Sequence, residues 1–486
     1  MKQPVIAEQA EGRNNFRPPV AATSAESAFT PEVANGKRMT YIEFLDNSPM
    51  TPFLWILLIG VALAQILDGI NFQSTAFALP LIGREFKINP TAAGLIASMT
   101  GIGLFFGALI ISPLADRFGR KPIFQWVLFT YAFGAFLSAI AWSYESLLVA
   151  RVIAGLGIGA QFPVAFALLA EFAPKRLRHI FVALGPLFYS VGWFCCAMLS
   201  TWLIPRFGWR AIYWLGISSM LMTVYIWRLL PESPRFLLMR GKVKEAGNVV
   251  KDLARRAGMT EVELVAPPET NTKAVEKLSL SQRISALRPE FWSVLALGGF
   301  YFANSIQNTG FSTWLPSIFV GQGFTLTRSF RFATIILVVT PIGQLFAMWL
   351  QERMPRKWAM LLLATLSSAF FLAFGLSFEF KWPIEVMVGS NVFYQFFSQG
   401  IVVILYTLAT ELFPTRIRGS SMGLITAVGR IGAITGPFVV GLLSTLGTAI
   451  HQIIYYFAIP LLAAAILCLF LIRIDPRQKT LEQIHT

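Results

Sequence analysis

An all-α integral membrane protein, with twelve transmembrane helices in two six-helix bundles about a pseudo-two-fold axis, is the fold class this sequence predicts. Three observations carry that prediction. The chain of 486 residues is 55% hydrophobic and 13% charged, whereas soluble domains carry roughly 25% charged residues. Hydropathy divides residues 53–474 into twelve apolar stretches, most of them near the ~20 residues that span a bilayer. Two charged phrases then occur twice, in short gaps between apolar runs. Leu114-Ala-Asp-Arg-Phe-Gly-Arg-Lys121 matches Leu350-Gln-Glu-Arg-Met-Pro-Arg-Lys357, and Ala170-Glu-Phe-Ala-Pro-Lys-Arg-Leu-Arg178 matches Thr410-Glu-Leu-Phe-Pro-Thr-Arg-Ile-Arg418, at offsets of 236 and 240 residues. Matching phrases at a nearly constant offset mark a tandem duplication.

The elements follow in chain order. Residues 1–52 hold five basic and six acidic residues. Pro, Ala, Ser and Glu dominate 18–35, so the segment is expected to be a disordered N-terminal extension. It lacks a basic n-region before a short apolar core and is not read as a cleaved signal peptide. Thr40 to Asp46 is expected to form a short amphipathic turn at the membrane surface. Helices 1 to 6 fall at 53–81, 90–115, 122–143, 147–172, 180–204 and 210–230, giving an N-terminal bundle over 53–230. Residues 231–290 form a linker with surface helices. In Gly241 to Ala257, Lys242, Lys244, Lys251, Arg255 and Arg256 oppose Val243, Ala246, Val249, Val250 and Leu253 at amphipathic helical spacing. Pro267-Pro268 breaks the chain, and Ser279 to Leu287 makes another surface helix. Helices 7 to 12 fall at 291–320, 328–350, 358–378, 383–411, 419–445 and 450–474, giving a C-terminal bundle over 291–475 and a tail over 476–486.

Lys and Arg concentrate in the loops after even-numbered helices, whether or not the long loop after helix 6 is counted. The positive-inside rule places those loops and both termini in the cytoplasm, with the chain in a cell inner (plasma) membrane. The net charge of +15 is thus a topology signal, and no nucleic-acid fold motif accompanies it. Parallel repeats about an axis along the membrane normal are an architecture of secondary transporters, with the substrate site between the halves near the midplane. The three cysteines, Cys195, Cys196 and Cys468, lie in apolar spans and read as packing residues. His179, His451 and His485 give no metal spacing. With no phosphate loop and no nucleophile–base pair, no cofactor, metal or enzymatic activity is expected.

A charge at the bilayer centre is costly, so intramembrane ionisable residues are functional candidates. Asp68 lies in helix 1, with Asn71 and Phe72 on the same face, and Arg151 lies early in helix 4 at a compatible depth. A carboxylate facing an arginine exchanges protonation for ion pairing, as proton coupling requires; the alternative is a static pair that fixes packing. Gly155 and Gly159 share a face with Arg151 and read as close-packing residues. Gln161 adds an uncharged hydrogen-bonding group beside Pro163, which permits a bend. Helix 7 carries Asn304, Gln307 and Asn308 at i, i+3 and i+4. Helix 10 carries Tyr394, Gln395, Ser398 and Gln399, and helix 5 carries Tyr189, Ser190 and Trp193. Such polar stripes either glue helices together or face a cavity and read a substrate. Arg430 stands near the midplane of helix 11 with no acid at similar depth in helices 7–12, so its counter-ion is either Asp68 from the other bundle or a substrate carboxylate. A guanidinium offers a planar fork for a carboxylate.

The repeated loop phrases bring acids next to clustered basics: Asp116, Arg117, Gly119 and Arg120 with Glu171 and Arg178 in the first half, and Glu352 and Arg356 with Glu411 and Arg418 in the second. An acid there can cap a neighbouring helix N-terminus. The cluster either sets topology alone or latches the bundles together on the cytoplasmic side and breaks as they rock.

These phrases resemble the major facilitator superfamily over residues 53–475. Leu114 to Lys121 is similar to its signature between helices 2 and 3, with Ser112 where the leading Gly usually stands. The second copy has Glu352 for Asp and Pro355 for Gly. Pro231-Glu-Ser-Pro-Arg235 resembles the sugar porters and the related organic ion transporters. Asp68-Gly-Ile-Asn71 resembles the D-G-[FY]-D of the bacterial aromatic acid:proton symporters, with Asn71 replacing the second acid. Gly155 to Pro163 resembles the G-L-G-x-G-G-E-x-P of the synaptic-vesicle-glycoprotein-like carriers, with Gln161 for Glu. The tail from Asp475 to Glu482 is a degraded form of the sugar-porter phrase, which makes a sugar less favoured. The resemblance further implies that Arg at the Arg430 position goes with organic anions and Asp there with organic cations.

The expectation is a monomeric, proton-coupled symporter of a small organic acid, aromatic in the favoured case, working by rocker-switch alternating access. Asp68 and Arg151 would couple the proton. Arg430, Gln161, Tyr189, Trp193, Asn304, Gln307, Asn308, Tyr394, Ser398 and Gln399 would bind substrate. The alternatives are a sugar, polyol or organic-cation carrier of the same fold, or a sensor whose long cytoplasmic loop signals without transport.

Overall fold

The computed structural model describes residues 39–257, 259, 264–265, 290–413 and 415–471. The expected disorder over 1–38, the surface helix at 279–287 and the tail beyond 471 lie outside them.

Twelve helices form the two bundles. In the first half they are α1 (Pro52–Glu85), α2 (Pro90–Phe118), α3 (Arg120–Ala139), α4 (Tyr144–Phe172), α5 (Arg178–Phe207) and α6, which comes in two pieces (Arg210–Gly216 and Ser219–Leu229). The second half holds α7 (Phe291–Gly321), α8 in two pieces (Leu326–Leu337 and Val339–Arg353), α9 (Arg356–Glu379), α10 (Ile384–Leu412), α11 (Thr415–Thr445) and α12 (Ile450–Leu471). Ten of these are long and apolar enough to cross a bilayer by length and composition alone. The other two have visible reasons: α6 breaks between its pieces, and α7 carries the Asn304–Gln307–Asn308 stripe.

Short polar residues start the helices. Thr51 accepts from the Leu54 amide at 3.2 Å ahead of Pro52, and Asn89 accepts from the Ala92 amide at 2.8 Å ahead of Pro90. A side-chain cap followed by proline at the first helical position satisfies one orphan N–H and wastes none. Within each bundle, glycines set the close crossings. On α2 and α4, a Cβ at Gly103, Gly107, Gly155 or Gly159 would strike the partner's backbone. The two glycines of α4 named in the sequence are therefore packing residues, consistent with helix association in lipid, where small residues permit contact.

The halves touch along three seams: α2 with α11, α1 with α7, and α5 with α8. Thr91 donates to Thr445 at 2.8 Å, Ser98 to the Ile434 carbonyl at 2.6 Å, Gln73 to the Ser312 carbonyl at 3.4 Å and Ser190 to Gln344 at 3.2 Å. These bonds lie at mid-depth or toward the face opposite the basic loops. The inner part of α2 runs toward the basic face. There α2 passes through a π-helical turn at Gly107–Ile111, a feature frequent at functional sites, and packs on α4 and α3 of its own bundle.

The N-terminal extension departs from expectation between residues 39 and 52. Tyr41–Asn47 is a helix, closed by a reciprocal cap between Thr40 and Glu43. Its Tyr41, Phe44 and Leu45 are buried against the N-terminal bundle and the linker helix Val243–Arg256, not laid on a membrane surface. Met39–Thr40 also pairs in parallel with Leu264–Val265. Ordering follows from burial of three large side chains, which composition averaged over the whole extension conceals.

At the α2–α3 turn Gly119 adopts φ 114° and ψ 156°, and a Cβ there would strike the Glu232 carboxylate. That region is essentially open only to glycine, and occupying it with another residue costs of order 1–3 kcal/mol. Gly119→Ala is accordingly expected to lower the stability of the purified protein by about that much, read as a fall in thermal midpoint. An unchanged midpoint would show that the turn relaxes freely.

Candidate functional site

The site is built from α1, α4 and α5 on one side and α7, α10 and α11 on the other. Asp68 is fully buried in α1, and both of its carboxylate oxygens lack a hydrogen-bond partner. Its electrostatic neighbours are the phenols of Tyr131 on α3 and Tyr189 on α5. Arg151 is fully buried as well, but it does not face Asp68. Its Nε donates to Thr100 at 3.1 Å, its Nη1 to the Asn71 side chain at 3.1 Å and its Nη2 to the Asn71 carbonyl at 3.2 Å, with the guanidinium 5.1 Å from the Tyr213 ring centre. The expected Asp68–Arg151 pair is therefore absent in this state. The reason is one helical turn: Asn71 sits three residues beyond Asp68, about 4.5 Å along the axis, at the level of Arg151. Asp68 and Arg151 are thus both buried, on neighbouring turns of the interior, without ion pairing.

An aromatic wall lies next to Asp68. Phe72 stacks on Trp193 at 5.9 Å and 15°, Tyr189 meets Trp193 edge-on at 5.8 Å, and Phe162 meets Tyr189 edge-on at 4.9 Å. Small residues make it possible: Gly69 and Gly192 bring the backbones of α1 and α5 into contact, so that Phe72 and Trp193 lie on adjacent turns. Arg430 of α11 comes up to this wall. It is close enough to Tyr189, and to Tyr301 of α7, to interact electrostatically, and its Nε is buried without a partner. No carboxylate is paired with it among the described residues, Asp68 included. Tyr189 therefore stands between the two charged groups, within electrostatic range of both.

In the second bundle, the stripes of α7 and α10 bond to each other, the helix-joining one of the two readings. Asn308 donates to Gln395 at 3.2 Å and to Ser398 at 3.1 Å, Ser398 to Asn304 at 3.4 Å, and Gln399 to Asn308 at 3.5 Å. Tyr394 packs on Phe371 beside this network, with ring centres 4.5 Å apart and planes tilted by 34°. Gln307 and Gln161, by contrast, are fully buried with both amide atoms unpartnered. An unmade hydrogen bond in a buried amide costs about 1–3 kcal/mol; Gln65 and Asn391 are buried in the same unpartnered state.

At the basic face the two repeats build matching pairs: Arg120 donates to Glu171 at 2.9 Å, and Arg356 to Glu411 at 2.8 Å. Arg120 also pairs with Asp116, whose side chain is 73% exposed. The acid that caps α3 is not Asp116. Glu232, from Pro231-Glu-Ser-Pro-Arg235, accepts from the amides of Arg120 at 3.0 Å and Lys121 at 3.3 Å. The Arg117 guanidinium lies over Phe118, while its carbonyl accepts from Arg240. Arg178 is held by Asp46, and Arg418 donates from Nε to the Phe413 carbonyl at 3.2 Å while its Nη2 is buried unpartnered. Glu352 ends α8 on this face. Sequence reasoning missed Thr100, Tyr213, Phe162, Glu232 and Asp46. Only Glu232 carried a readable signal, as the acid of a recognisable phrase.

Two six-helix bundles that meet along three seams and enclose charged, aromatic and amide side chains at mid-depth define a multi-pass membrane transporter, not an enzyme. Residues 60–486 match the sugar (and other) transporter family, and the chain belongs to that family, within the major facilitator superfamily. It is 32% identical over 455 residues to the niacin transporter NiaP of Acinetobacter baylyi, covering 92% of this chain and 100% of that one. To the 4-hydroxybenzoate transporter PcaK of the same organism it is 27% identical over 443 residues, covering 87% and 92%. The inward open xylose transporter XylE from E. coli superposes with a TM-score of 0.71 at 16% identity over 89% of this chain and 99% of that one. That last likeness concerns the fold alone.

Proposed function

We propose that this chain is a proton-coupled symporter of a small aromatic monocarboxylate, working by alternating access as a monomer in an inner membrane with both termini cytoplasmic. One observation carries the substrate class: Arg430, midway along α11, has no carboxylate partner among the described residues and is within electrostatic range of Tyr189 in the aromatic wall. A lone arginine at the centre of a helix costs at least ~2.5–3.5 kcal/mol, and a bound carboxylate offsets that cost through charge-assisted hydrogen bonds. Phe72, Tyr189 and Trp193 supply faces and edges for a ring. Gln307, Asn304, Asn308 and Gln399 offer neutral donors and acceptors for a ring heteroatom or hydroxyl, and Gln161 lies beside Phe162 behind the wall. The named substrates of the relatives, niacin and 4-hydroxybenzoate, are of this class.

Asp68 is the proton carrier in this reading. Neutral, it tolerates its partnerless burial; ionised, it draws Arg151 away from Asn71 by one turn. The test is uptake by proteoliposomes of radiolabelled niacin, benzoate, 4-hydroxybenzoate, xylose and choline under an imposed pH gradient. Gradient-driven accumulation of one or more of the acids supports the reading, and uptake of only xylose or choline overturns it.

We read this as the inward-facing state, with a wedge between the halves open toward the basic loops, because the hydrogen bonds cited between the halves lie at mid-depth or toward the opposite face. The antiparallel seam runs Thr91 opposite Thr445 and Ser98 opposite Ile434. Continued to the basic face, it brings Asp116 level with the first turn of α11, where Arg418 has its free Nη2. Asp116 with Arg117 and Arg120 thereby latches the outward-facing state, closing the cytoplasmic side. Asp116→Ala is expected to raise maleimide labelling of cysteines introduced on the inner half of the wedge severalfold. Unchanged labelling would reduce the motif to a topology signal.

A further inference from the structure

The carboxylate of Asp46 accepts from two arginines at once: Nη2 of Arg178, the first residue of α5, at 2.6 Å, and Nη2 of Arg235, in the linker. All three side chains are about one-quarter exposed, at 26%, 29% and 26% in turn. The Asp46 carbonyl also accepts from the Lys175 amide at 3.0 Å, tying the same helix to the α4–α5 loop. Around this joint, Tyr41 packs on Gly247 of the linker helix so closely that a Cβ at Gly247 would meet its hydroxyl. Phe44 and Leu45 fill a core with Phe53, Leu54, Phe172 and Leu253. Among the described residues the second repeat shows no equivalent: Arg418, the counterpart of Arg178, keeps a buried unpartnered Nη2.

What the joint holds is a segment that can bend. Pro186 stands inside α5, eight residues beyond Arg178; a proline in a helix interior removes one backbone hydrogen bond and permits a kink. The two turns from Arg178 to Gly185 are thus tied down at one end by Asp46 and loosened at the other. They are also in contact with the substrate wall. A Cβ at Gly185 would strike the Phe166 ring; Phe166 meets Phe162 edge-on at 5.6 Å, and Phe162 meets Tyr189 at 4.9 Å.

We infer that Asp46 is a positioning residue for the transport cycle: it anchors the basic-face segment of α5, and through that segment sets the position of Phe166, Phe162 and Tyr189. The inference rests on the reading of Tyr189 as part of the substrate wall. Two guanidiniums held by one carboxylate repel each other once it is neutralised. The joint then opens, and the Arg178–Gly185 segment bends about Pro186.

The full-length protein in nanodiscs, as wild type, Asp46→Asn and Asp46→Glu, tests this by amide hydrogen exchange and by substrate exchange after reconstitution. In Asp46→Asn the amides of Arg178–Gly185 are expected to exchange at least tenfold faster, together with those of Tyr41–Asn47, while α3 stays protected. The maximal exchange rate per folded transporter should fall about tenfold with the half-saturating concentration within threefold of wild type, and Asp46→Glu should restore both in part. Loss of the Tyr41–Asn47 helix with Arg178–Gly185 still protected would overturn the inference, as would unchanged protection of both. A lower yield of folded protein with a normal rate per transporter would also overturn it, because a purely structural role predicts that. If wild type exchanges no aromatic carboxylate, the substrate reading falls, whereas the amide-exchange arm still decides whether Asp46 anchors α5.

Discussion

Arg430→Ala is expected to abolish binding of aromatic carboxylates, with Arg430→Lys recovering only part of it. The guanidinium has a buried unpartnered Nε and no paired carboxylate among the described residues. Charge-assisted hydrogen bonds are worth about 1.5–3 kcal/mol each, and a bidentate pair loses two. Each 1.4 kcal/mol is a factor of ten in affinity, so the loss should be at least about 100-fold. Lysine keeps the charge but not the planar fork, which is why the rescue is incomplete. Calorimetric titration of the purified variants with benzoate and niacin measures it directly. Should the wild type bind a neutral sugar or an amine and Arg430→Ala be indifferent, the anion reading is wrong.

Asp68→Asn is expected to separate accumulation from exchange. Asparagine mimics the protonated carboxylate in size and polarity and cannot ionise, so the variant is held in the neutral state of the cycle. Uphill uptake driven by a pH gradient should vanish, a loss of two orders of magnitude or more, while counterflow of labelled against unlabelled substrate persists. Asn71→Asp supplies a complementary measurement. It places a carboxylate where Arg151 already donates one hydrogen bond to the side chain and a second to the backbone carbonyl of the same residue, so it should trap Arg151 in a permanent pair and slow the same step without touching Asp68. Full gradient-driven accumulation by Asp68→Asn would remove Asp68 from the coupling mechanism.

Much of the fold was legible because hydropathy and two duplicated phrases are long-range signals that survive local error. The break in α6 and the polar stripe of α7 weakened individual helices but not the count, since the repeat demanded them. The α7–α10 network was legible for the same periodic reason: Asn304 and Asn308 share a face, as do Tyr394, Gln395, Ser398 and Gln399. The partner of Arg151 was not. Depth along two helices is fixed from sequence only to about one turn, and Asp68 and Asn71 are one turn apart. Nor was the whole aromatic wall: Phe72, Tyr189 and Trp193 stood out by their polar neighbours, but with 43 phenylalanines in the chain, nothing in sequence distinguishes Phe162 from those that face lipid. Asp46 was hidden by composition, because a segment averaged as polar and mixed in charge contained three large side chains at helical spacing.

Among the described residues Asp68 is the one carboxylate fully buried inside the spanning helices, and that bears on electricity as well as chemistry. A single acid takes up one proton per cycle. One proton carried with one monocarboxylate moves no net charge across the bilayer, while Arg151 and Arg430 stay with the protein. A potential of 100 mV acts on each translocated charge with about 2.3 kcal/mol; on this pair it acts with none. The carrier would then be driven by the pH difference alone, filling a cell with substrate in acid surroundings and remaining indifferent to the collapse of the membrane voltage.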